Sequence, residues 1–167
     1  MAIAADTVQG TGFRQALDCV KVMQPHLPLP TPEPNADSRA YWAAACERRL
    51  VVRRCLACGE RHFMPRGLCP VCWSDQLEWV DCSGLGTVYS LSVVRRAPTP
   101  DFGAIAPYVI ALIDLDEGPR VFANIVGTGA LDAAIGDRVK VTFERRGDEA
   151  LIPQFERLGS AASGQAA

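Results

Sequence analysis

The most informative stretch of this sequence is Cys55-Leu-Ala-Cys58-Gly-Glu-Arg-His-Phe-Met-Pro-Arg-Gly-Leu-Cys69-Pro-Val-Cys72, which carries two Cys-x-x-Cys pairs ten residues apart. A turn inside each pair can bring both sulfurs toward one point, and four thiolates complete the tetrahedral shell that suits Zn²⁺. Gly59 follows the first pair, where a tight knuckle often needs a positive φ. Because all four ligands are cysteines, no coordination position is left for water, which is typical of a structural metal site rather than a catalytic one.

Three alternatives to zinc remain open from the residues alone: a redox dithiol, a pair of disulfides, and a rubredoxin-like iron site. His62 lies between the two pairs and is a possible substitute ligand. Since four cysteines already suffice for a closed site, we expect His62 to lie on the ribbon surface instead.

The composition is that of a globular protein, with 167 residues of which 49% are hydrophobic and 22% charged. No apolar run reaches the ~20 residues needed to cross a bilayer, and the first residues lack the basic and apolar regions of a signal peptide. We therefore expect a cytoplasmic location, which agrees with thiols that bind metal. Seven cysteines leave Cys19, Cys46 and Cys82 outside the metal set, and these are expected to be small buried apolar residues.

The charge is unevenly distributed, although the net charge is only −2. Between residues 46 and 66, six arginines and two glutamates give a local charge of +4, which leaves −6 for the rest of the chain. A solvated, salt-bridged surface explains most of these residues. The alternative is a patch that binds phosphates or an acidic partner.

The first 54 residues predict two helices and a linker. Phe13, Ala16, Leu17 and Val20 follow the spacing of an amphipathic helix within residues 12–24, which must dock on its own domain or on a partner. Five prolines between residues 25 and 34 predict an extended linker.

A second helix should begin near Asp37 or Ser38, either of which can cap it, and run toward Leu50. The aromatic pair Tyr41 and Trp42 within it is expected to pack against the ribbon or across a subunit interface.

From Gly84 onward the periodicity changes to two, which predicts strands. Tyr89, Leu91 and Val93 are expected on one face of the first strand, and Pro153 places the last strand at an edge or a bulge. Five short strands separated by turns predict a small closed barrel of the OB type. These strands are expected at 86–97, 107–115, 120–126, 139–144 and 150–156.

The predicted fold class is therefore mainly β: one or two N-terminal helices, a four-Cys zinc ribbon and a five-stranded OB-fold barrel. The expected modules are an N-terminal amphipathic helix (1–24), a Pro-rich linker (25–36), a helical arm (37–54), the zinc ribbon (55–80), the barrel (81–158) and a disordered tail (159–167).

This order of elements resembles the family of rubredoxin-like zinc-ribbon plus OB-fold proteins associated with acyl-CoA enzymes, over about residues 37–158. One departure is the corner between helix and strand, where the family usually carries a glycine and this chain has Glu47-Arg48-Arg49-Leu50. The N-terminal helix and the linker also lie outside the family core. The matching motifs are Tyr41-Trp42, Leu50, Cys55-x-x-Cys58-Gly59, Pro65-Arg66-x-x-Cys69-Pro70-x-Cys72, Gly84-x-Gly86-Thr87-Val88-Tyr89-Ser90, Pro107-Tyr108 and Gly136-Asp137-x-Val139.

The resemblance implies an accessory subunit that pairs with a thiolase-like, lipid-transfer-like or hydratase enzyme acting on acyl-CoA thioesters, including enzymes of steroid side-chain breakdown. Some members of the family help to hold the coenzyme A chain. Arg66 is a candidate contact for its phosphates, because it occupies the family's Pro-Arg step and a guanidinium can grip a phosphate with two hydrogen bonds. Arg95 and Arg96, near the end of the first barrel strand, are further candidates. Each of the three can equally pair with an acidic partner or face water.

No catalytic residue is predicted for this chain. It lacks a Gly-x-Ser-x-Gly elbow and a phosphate-binding glycine-rich loop, and Asp114 and Asp116 fall near a turn. One competing hypothesis is a nucleic-acid-binding protein, since OB barrels and zinc ribbons both occur there. Such a protein needs a basic groove with exposed aromatic residues, whereas several barrel aromatics are expected in the core. A purely structural adaptor is the third hypothesis.

Overall fold

A computed structural model describes residues 29–147 and 150–159 of the chain. These residues comprise the second helix, the ribbon and the barrel. The helix predicted within residues 12–24 lies outside the described residues, and so does nearly all of the predicted tail. The division into six modules stays a prediction.

Helix α1 (Arg39–Cys46) begins directly after a reciprocal pair of hydrogen bonds between Asn35 and Ser38. The Asn35 side chain accepts from the backbone N–H of Ser38 at 2.9 Å, and the Ser38 hydroxyl accepts from the N–H of Asn35 at 3.1 Å. Ser38 occupies the N-cap position, but its side chain makes no capping bond to the helix. The prediction that Asp37 or Ser38 caps the helix was therefore wrong in its chemistry, because a turn upstream supplies the capping interaction.

The end of α1 forms the corner at which this chain lacks the glycine that the family usually carries. The N–H of Arg49 donates to the carbonyl of Ala44 and the N–H of Arg48 to that of Ala45, both at 2.9 Å, which is the Schellman arrangement. Arg48 takes the left-handed position, with a φ of 59°. Glycine adopts this conformation without a steric penalty, whereas a residue with a Cβ pays about 1–2 kcal/mol. The corner therefore places an arginine where glycine is sterically favoured.

The ribbon is a three-stranded antiparallel sheet in the order β2–β1–β3. Its strands are β1 (Val51–Cys55), β2 (Arg61–His62) and β3 (Leu77–Asp81). Tyr41 of α1 packs on Phe63, with ring centroids 5.3 Å apart, so the helix covers the ribbon. This confirms the first of the two roles expected for the aromatic pair.

The barrel is closed in the order β4–β5–β6–β8–β7, which confirms the predicted five-stranded fold. Its core is formed by residues that alternate along the strands, among them Val88, Ile113, Val139 and Phe155. The strands are β4 (Leu85–Val94), β5 (Tyr108–Leu115), β6 (Arg120–Val126), β7 (Arg138–Arg146) and β8 (Ala150–Arg157). A four-residue helix α2 (Pro100–Gly103) lies between β4 and β5, and a short 3₁₀ turn (Ala130–Asp132) lies between β6 and β7.

A β-bulge in β4 places Tyr89 on a different face of the strand from the predicted one. The pairing with β5 shifts register between Val88 and Ser90, so Tyr89 has no partner directly opposite. Val88 is buried and Tyr89 is 51% exposed, while Leu91 and Val93 pack against the core. The prediction that Tyr89 shares a face with Leu91 and Val93 was wrong, because an extra residue in one strand interrupts the alternation.

The last strand has one edge that is mostly open. β8 pairs with β7 from Ala150 to Arg157, but with β6 only at Phe155 and Glu156, in parallel. Pro153 thus lies in a segment with a partner on one side only, as its missing N–H predicted.

Gly84 is required where β4 begins. Its φ is +76°, and a Cβ placed there would lie 2.2 Å from Cγ1 of Val141. The Gly84 carbonyl also accepts a hydrogen bond from the N–H of Val141 at 2.7 Å. The segment at Gly84 and strand β7 therefore cannot move apart without losing this bond. Gly84 therefore permits the close packing of β4 on β7.

Ribbon and barrel share one core. Tyr41, Leu50 and Val52 belong to the same buried cluster as the barrel residues, which makes the ribbon an extension of the barrel core. Among the described residues, no helix has the length and apolar character needed to cross a membrane.

Candidate metal centre

The two Cys-x-x-Cys turns have the same backbone geometry. In the first, the N–H of Gly59 donates to the carbonyl of Cys55 at 2.8 Å; in the second, the N–H of Trp73 donates to that of Cys69 at 3.0 Å. The residue after each pair has a positive φ, 79° for Gly59 and 62° for Trp73. Two equivalent turns thus present four sulfurs to one point, one pair from each side.

The four sulfurs have the spacing of a tetrahedral metal shell. All lie within 4.8 Å of one another; Cys55 and Cys72 are 3.6 Å apart and Cys58 and Cys69 3.7 Å. A tetrahedron with metal–sulfur bonds of about 2.3 Å has sulfur–sulfur edges of about 3.8 Å. Disulfide bonds require about 2.05 Å, and none of the four cysteines is in a disulfide. The structure thus brings together all four residues of the predicted metal set in the geometry of a metal-binding site.

The thiols do not ionise independently in this arrangement. Hydrogen bonds from backbone N–H groups lower the pKa of the Cys55 thiol to about 7, and the N–H of Cys58 has the largest effect. For Cys58 the N–H of Glu60 acts in the same direction, but the neighbouring thiol of Cys72 and desolvation outweigh it and raise the pKa to about 12. Because one thiolate makes the next harder to form, four thiolates require a cation between them.

His62 does not lie where the sequence analysis expected it. Its side chain is 7% exposed, so the expectation of a surface position was wrong. His62 lies opposite Arg53 in the register of β1 and β2 and is not part of the thiol cluster. Neither of its ring nitrogens has a hydrogen-bond partner among the described residues. Burial has the largest effect on the pKa of His62 and lowers it, and the positive charges of Arg53 and Arg66 lower it further. The ring is therefore neutral and fills space in the ribbon.

The remaining cysteines differ from one another. Cys46 is exposed at the end of α1, so the expectation that it is buried was wrong. Cys82 is half-buried, and burial followed by the carboxylate of Glu117 raises its pKa to about 12. Cys19 lies outside the described residues.

The three arginines predicted to contact coenzyme A do not form one cluster. Arg95 and Arg96 directly follow β4 and line a shallow cleft of about 470 Å³ with Pro98 and Pro100. Arg66 lies on the ribbon, in the loop before Cys69, and is not part of this cleft. All three are exposed, and none makes an ion pair with a described residue.

Several other charged residues pair with one another among the described residues. Arg120 makes two hydrogen bonds to Asp114, at 2.6 and 3.1 Å, and Arg138 makes two to Asp116, both at 2.7 Å. The hydrogen bond from Arg138 lowers the pKa of Asp116. Arg49 likewise pairs with both Glu47 and Asp81 within the basic stretch. The aspartates thus serve as ion-pair partners on the barrel surface.

An aromatic groove that the sequence did not indicate lies at the junction of ribbon and barrel. Its walls are Tyr41, Trp42, Phe63, Phe102 and Phe122, and its volume is about 350 Å³. Asn124, Arg146 and Gln154 also line it. The alternation in β6, where Val121 and Ile125 are buried, could have indicated that Phe122 and Asn124 face outward. The convergence of aromatic residues from four separate segments on one groove carries no local sequence signal.

These features define the class of protein: a rubredoxin-like four-Cys ribbon fused to an OB barrel. Residues 42–78 match the ChsH2 rubredoxin-like zinc ribbon domain, and residues 79–144 match the ChsH2 C-terminal OB-fold domain. The chain is 40% identical over 116 residues to a DUF35 domain-containing scaffold protein of Methanocaldococcus jannaschii, covering 66% of this chain and 82% of that protein. The chain belongs to this ChsH2/DUF35 family.

Two further comparisons concern enzyme subunits. The chain is 37% identical over 126 residues to a probable enoyl-CoA hydratase alpha subunit of Thermomonospora curvata, covering 75% of this chain but only 39% of that protein. Among solved structures it resembles a chain of the Ltp2-ChsH2(DUF35) aldolase, with a TM-score of 0.68 and 36% identity, covering 76% of this chain and 98% of that one. The matched region is thus a whole chain in one relative and a minor part of a longer chain in another.

Proposed function

We propose that this protein is an accessory subunit of an acyl-CoA-processing complex, paired with a thiolase-like, lipid-transfer-like or hydratase enzyme. The observation that carries the proposal is the thiol cluster, which is the only group of three or more potential metal ligands among residues 29–147 and 150–159. A closed four-thiolate shell holds structure together and leaves no position for substrate. The partner therefore supplies the catalytic groups.

The names of the relatives support this proposal. One is a hydratase alpha subunit, another is a scaffold protein, and the matching structure is that of an aldolase whose name joins two components. The ribbon and barrel are the part shared by all of them, so we assign the accessory role to this part.

The metal in our proposal is Zn²⁺, bound by Cys55, Cys58, Cys69 and Cys72. Zinc and iron both fit a tetrahedral sulfur shell, and zinc suits a purely structural role because it has no redox chemistry. Metal analysis of the purified protein is expected to give one zinc per chain, with no visible absorption from iron. A chain purified without zinc or iron would overturn the metal assignment. A thiolate site also requires reducing conditions, which supports a cytoplasmic location.

The accessory role is tested by reconstitution. The chain alone should not turn over acyl-CoA thioesters, and the enzyme with which it assembles should be inactive or unstable without it. Activity of the isolated chain, or full activity of the partner in its absence, would exclude an accessory subunit.

The same proposal assigns Arg95 and Arg96 to the phosphates of the coenzyme A tail, with Arg66 as a third contact. Their exposure and their lack of ion-pair partners in the described chain support this assignment. Replacing both Arg95 and Arg96 by Gln should weaken coenzyme A binding by the assembled complex at least about tenfold, since a hydrogen bond between charged groups is worth about 1.5–3 kcal/mol. Arg39→Gln, at an exposed arginine of α1, is the control. Equal effects of the two variants would remove these arginines from the site.

A nucleic-acid-binding function has one observation in its favour: Tyr89 and Phe122 are 51% and 60% exposed on the barrel. Aromatic residues of this kind can stack on bases. The nearest cation is already engaged, because Arg120 stacks on Tyr89 and pairs with Asp114. We therefore expect no single-stranded DNA binding that survives about 200 mM salt, where phosphate-driven contacts are largely lost.

A further inference from the structure

We propose that the open edge of β6, together with the aromatic groove beside it, binds an extended peptide segment of the partner enzyme as an additional β-strand. The peptide we infer has an apolar or aromatic side chain followed by a carboxylate. This inference names how the partner is recognised and therefore rests on the proposed accessory function.

The first observation is an unpaired strand edge inside a closed barrel. β6 pairs with β5 along its length, from Arg120 to Ile125, but with β8 only at Ile125 and Val126. The two strands β6 and β8 therefore diverge over residues 120–124 of β6, and this leaves an opening between them. An unpaired row of backbone N–H and C=O groups is a template for another strand.

The direction of the backbone groups follows from one hydrogen bond. The N–H of Asn124 donates to the side-chain Oε1 of Gln154 on β8, at 2.9 Å. Asn124 therefore points its backbone groups toward the opening, and in an antiparallel pair every second residue does the same. The N–H and C=O of Phe122 thus face the opening, and no described residue of β8 pairs with them.

The second observation is that this edge lies in the aromatic groove. Phe122, Ala123 and Asn124 line it from β6, and Ile152 to Gln154 line it from β8. Phe122 and Met64 at its rim are 60% and 61% exposed, which is unusual for large apolar side chains. In β-strand addition, the backbone supplies hydrogen bonds and a pocket selects a side chain. The five aromatic walls are suited to an apolar or aromatic side chain.

The third observation concerns the polar groups of the groove. Gln154 is 4% exposed, and its side-chain oxygen accepts the hydrogen bond from the N–H of Asn124. Arg146 is 9% exposed, and its polar contacts with described residues are long: 3.4 Å to the carbonyl of Pro30 and 3.9 Å to a carboxylate oxygen of Glu144. No acidic residue lines the groove among the residues that the structure describes. A buried guanidinium with such weak contacts favours a carboxylate ligand.

The test uses the full chain and a blocked peptide, acetyl-Val-Phe-Val-Asp-amide, without any partner enzyme. In an NMR titration, we expect saturable shifts at Phe122, Asn124 and Gln154 at high micromolar to millimolar peptide, and slower hydrogen exchange of the Phe122 amide. The same peptide with methylated backbone nitrogens is expected to bind at least about tenfold more weakly, because it cannot form the strand hydrogen bonds.

Matched variants distinguish peptide binding in the groove from non-specific binding to exposed aromatic residues. Phe122→Ala should weaken peptide binding several-fold, whereas Tyr89→Ala, an equally exposed barrel aromatic outside the groove, should leave it unchanged. The proposal is overturned if the methylated peptide binds as well, if no saturable shift occurs, or if the Phe122 amide is already protected in the free protein because another part of the chain covers it. Such a failure leaves the accessory function to its own reconstitution test, which does not depend on this groove.

Discussion

The ribbon and the barrel hold their shapes by different means, although they share a core. The barrel closes on itself through five paired strands and a buried set that includes Ile113, Val139 and Phe155. The ribbon has three strands, one of which is only two residues long, and two of its most buried side chains belong to the predicted metal ligands Cys55 and Cys69. Hydrophobic packing alone can sustain the barrel, whereas so small a sheet needs a metal to fix its turns.

The largest effect is expected when one of the four predicted metal ligands of the ribbon is removed. Cys58→Ser should unfold the ribbon and leave the barrel folded, because metal binding in such sites is worth roughly 10–16 kcal/mol in model peptides. The measurement is metal content together with an NMR spectrum that separates ribbon and barrel resonances. Cys46→Ser, at an exposed cysteine outside the cluster, is the control. A ribbon that stays folded without metal would show that its packing suffices.

The corresponding change in the barrel acts through sterics. Gly84→Ala places a Cβ 2.2 Å from Val141 Cγ1 and forces alanine to a φ of +76°. We expect a loss of about 2–5 kcal/mol in the free energy of unfolding, from strain and overpacking together. Gly103→Ala is the matched control, since nothing lies within 4 Å of that position, and it should change stability by less than about 0.5 kcal/mol. Urea melts followed by circular dichroism measure both. Similar values for the two variants would mean that β4 and β7 are not closely packed at Gly84.

A smaller effect is expected where the helical arm enters the ribbon. Arg48→Gly should stabilise the protein by about 1 kcal/mol, because glycine removes the cost of the left-handed conformation. Arg39→Gly, in the first turn of the same helix, should have the opposite sign, since glycine lowers helix propensity. Urea melts of the two variants measure both changes. If both variants lost stability, the Arg48 side chain would be making a contact that compensates its strain.

The smallest expected effect is a pH dependence of the ribbon. The pKa of His62 is lowered in the folded protein by burial and by Arg53 and Arg66, with Glu60 acting weakly against them. The unfolded chain therefore binds a proton more readily, so stability is unaffected well above the ordinary histidine pKa of about 6.5 and falls as the pH drops through it. With zinc in excess, His62→Gln should lose less stability than the natural chain between about pH 8 and pH 6. An identical decline in both would assign the pH dependence to the thiolates.

The sequence alone determined the features that depend on local chemistry. Cys55, Cys58, Cys69 and Cys72 predicted one metal-binding site, because two residues between ligands suffice for a turn around a metal. Period-two alternation predicted the five barrel strands, since one face of each must meet the core. The resemblance carried by these motifs also predicted the family to which the chain belongs.

Features that depend on residues far apart in the chain became visible in the folded structure and not before. The bulge at Tyr89 arises from the register of β4 against β5, and a single sequence does not display register. His62 is buried although it is polar. The aromatic groove joins Tyr41, Phe63, Phe102 and Phe122, which come from four separate segments of the chain. Each of these outcomes was set by packing between elements, and packing energy outweighs the local preference of a single residue.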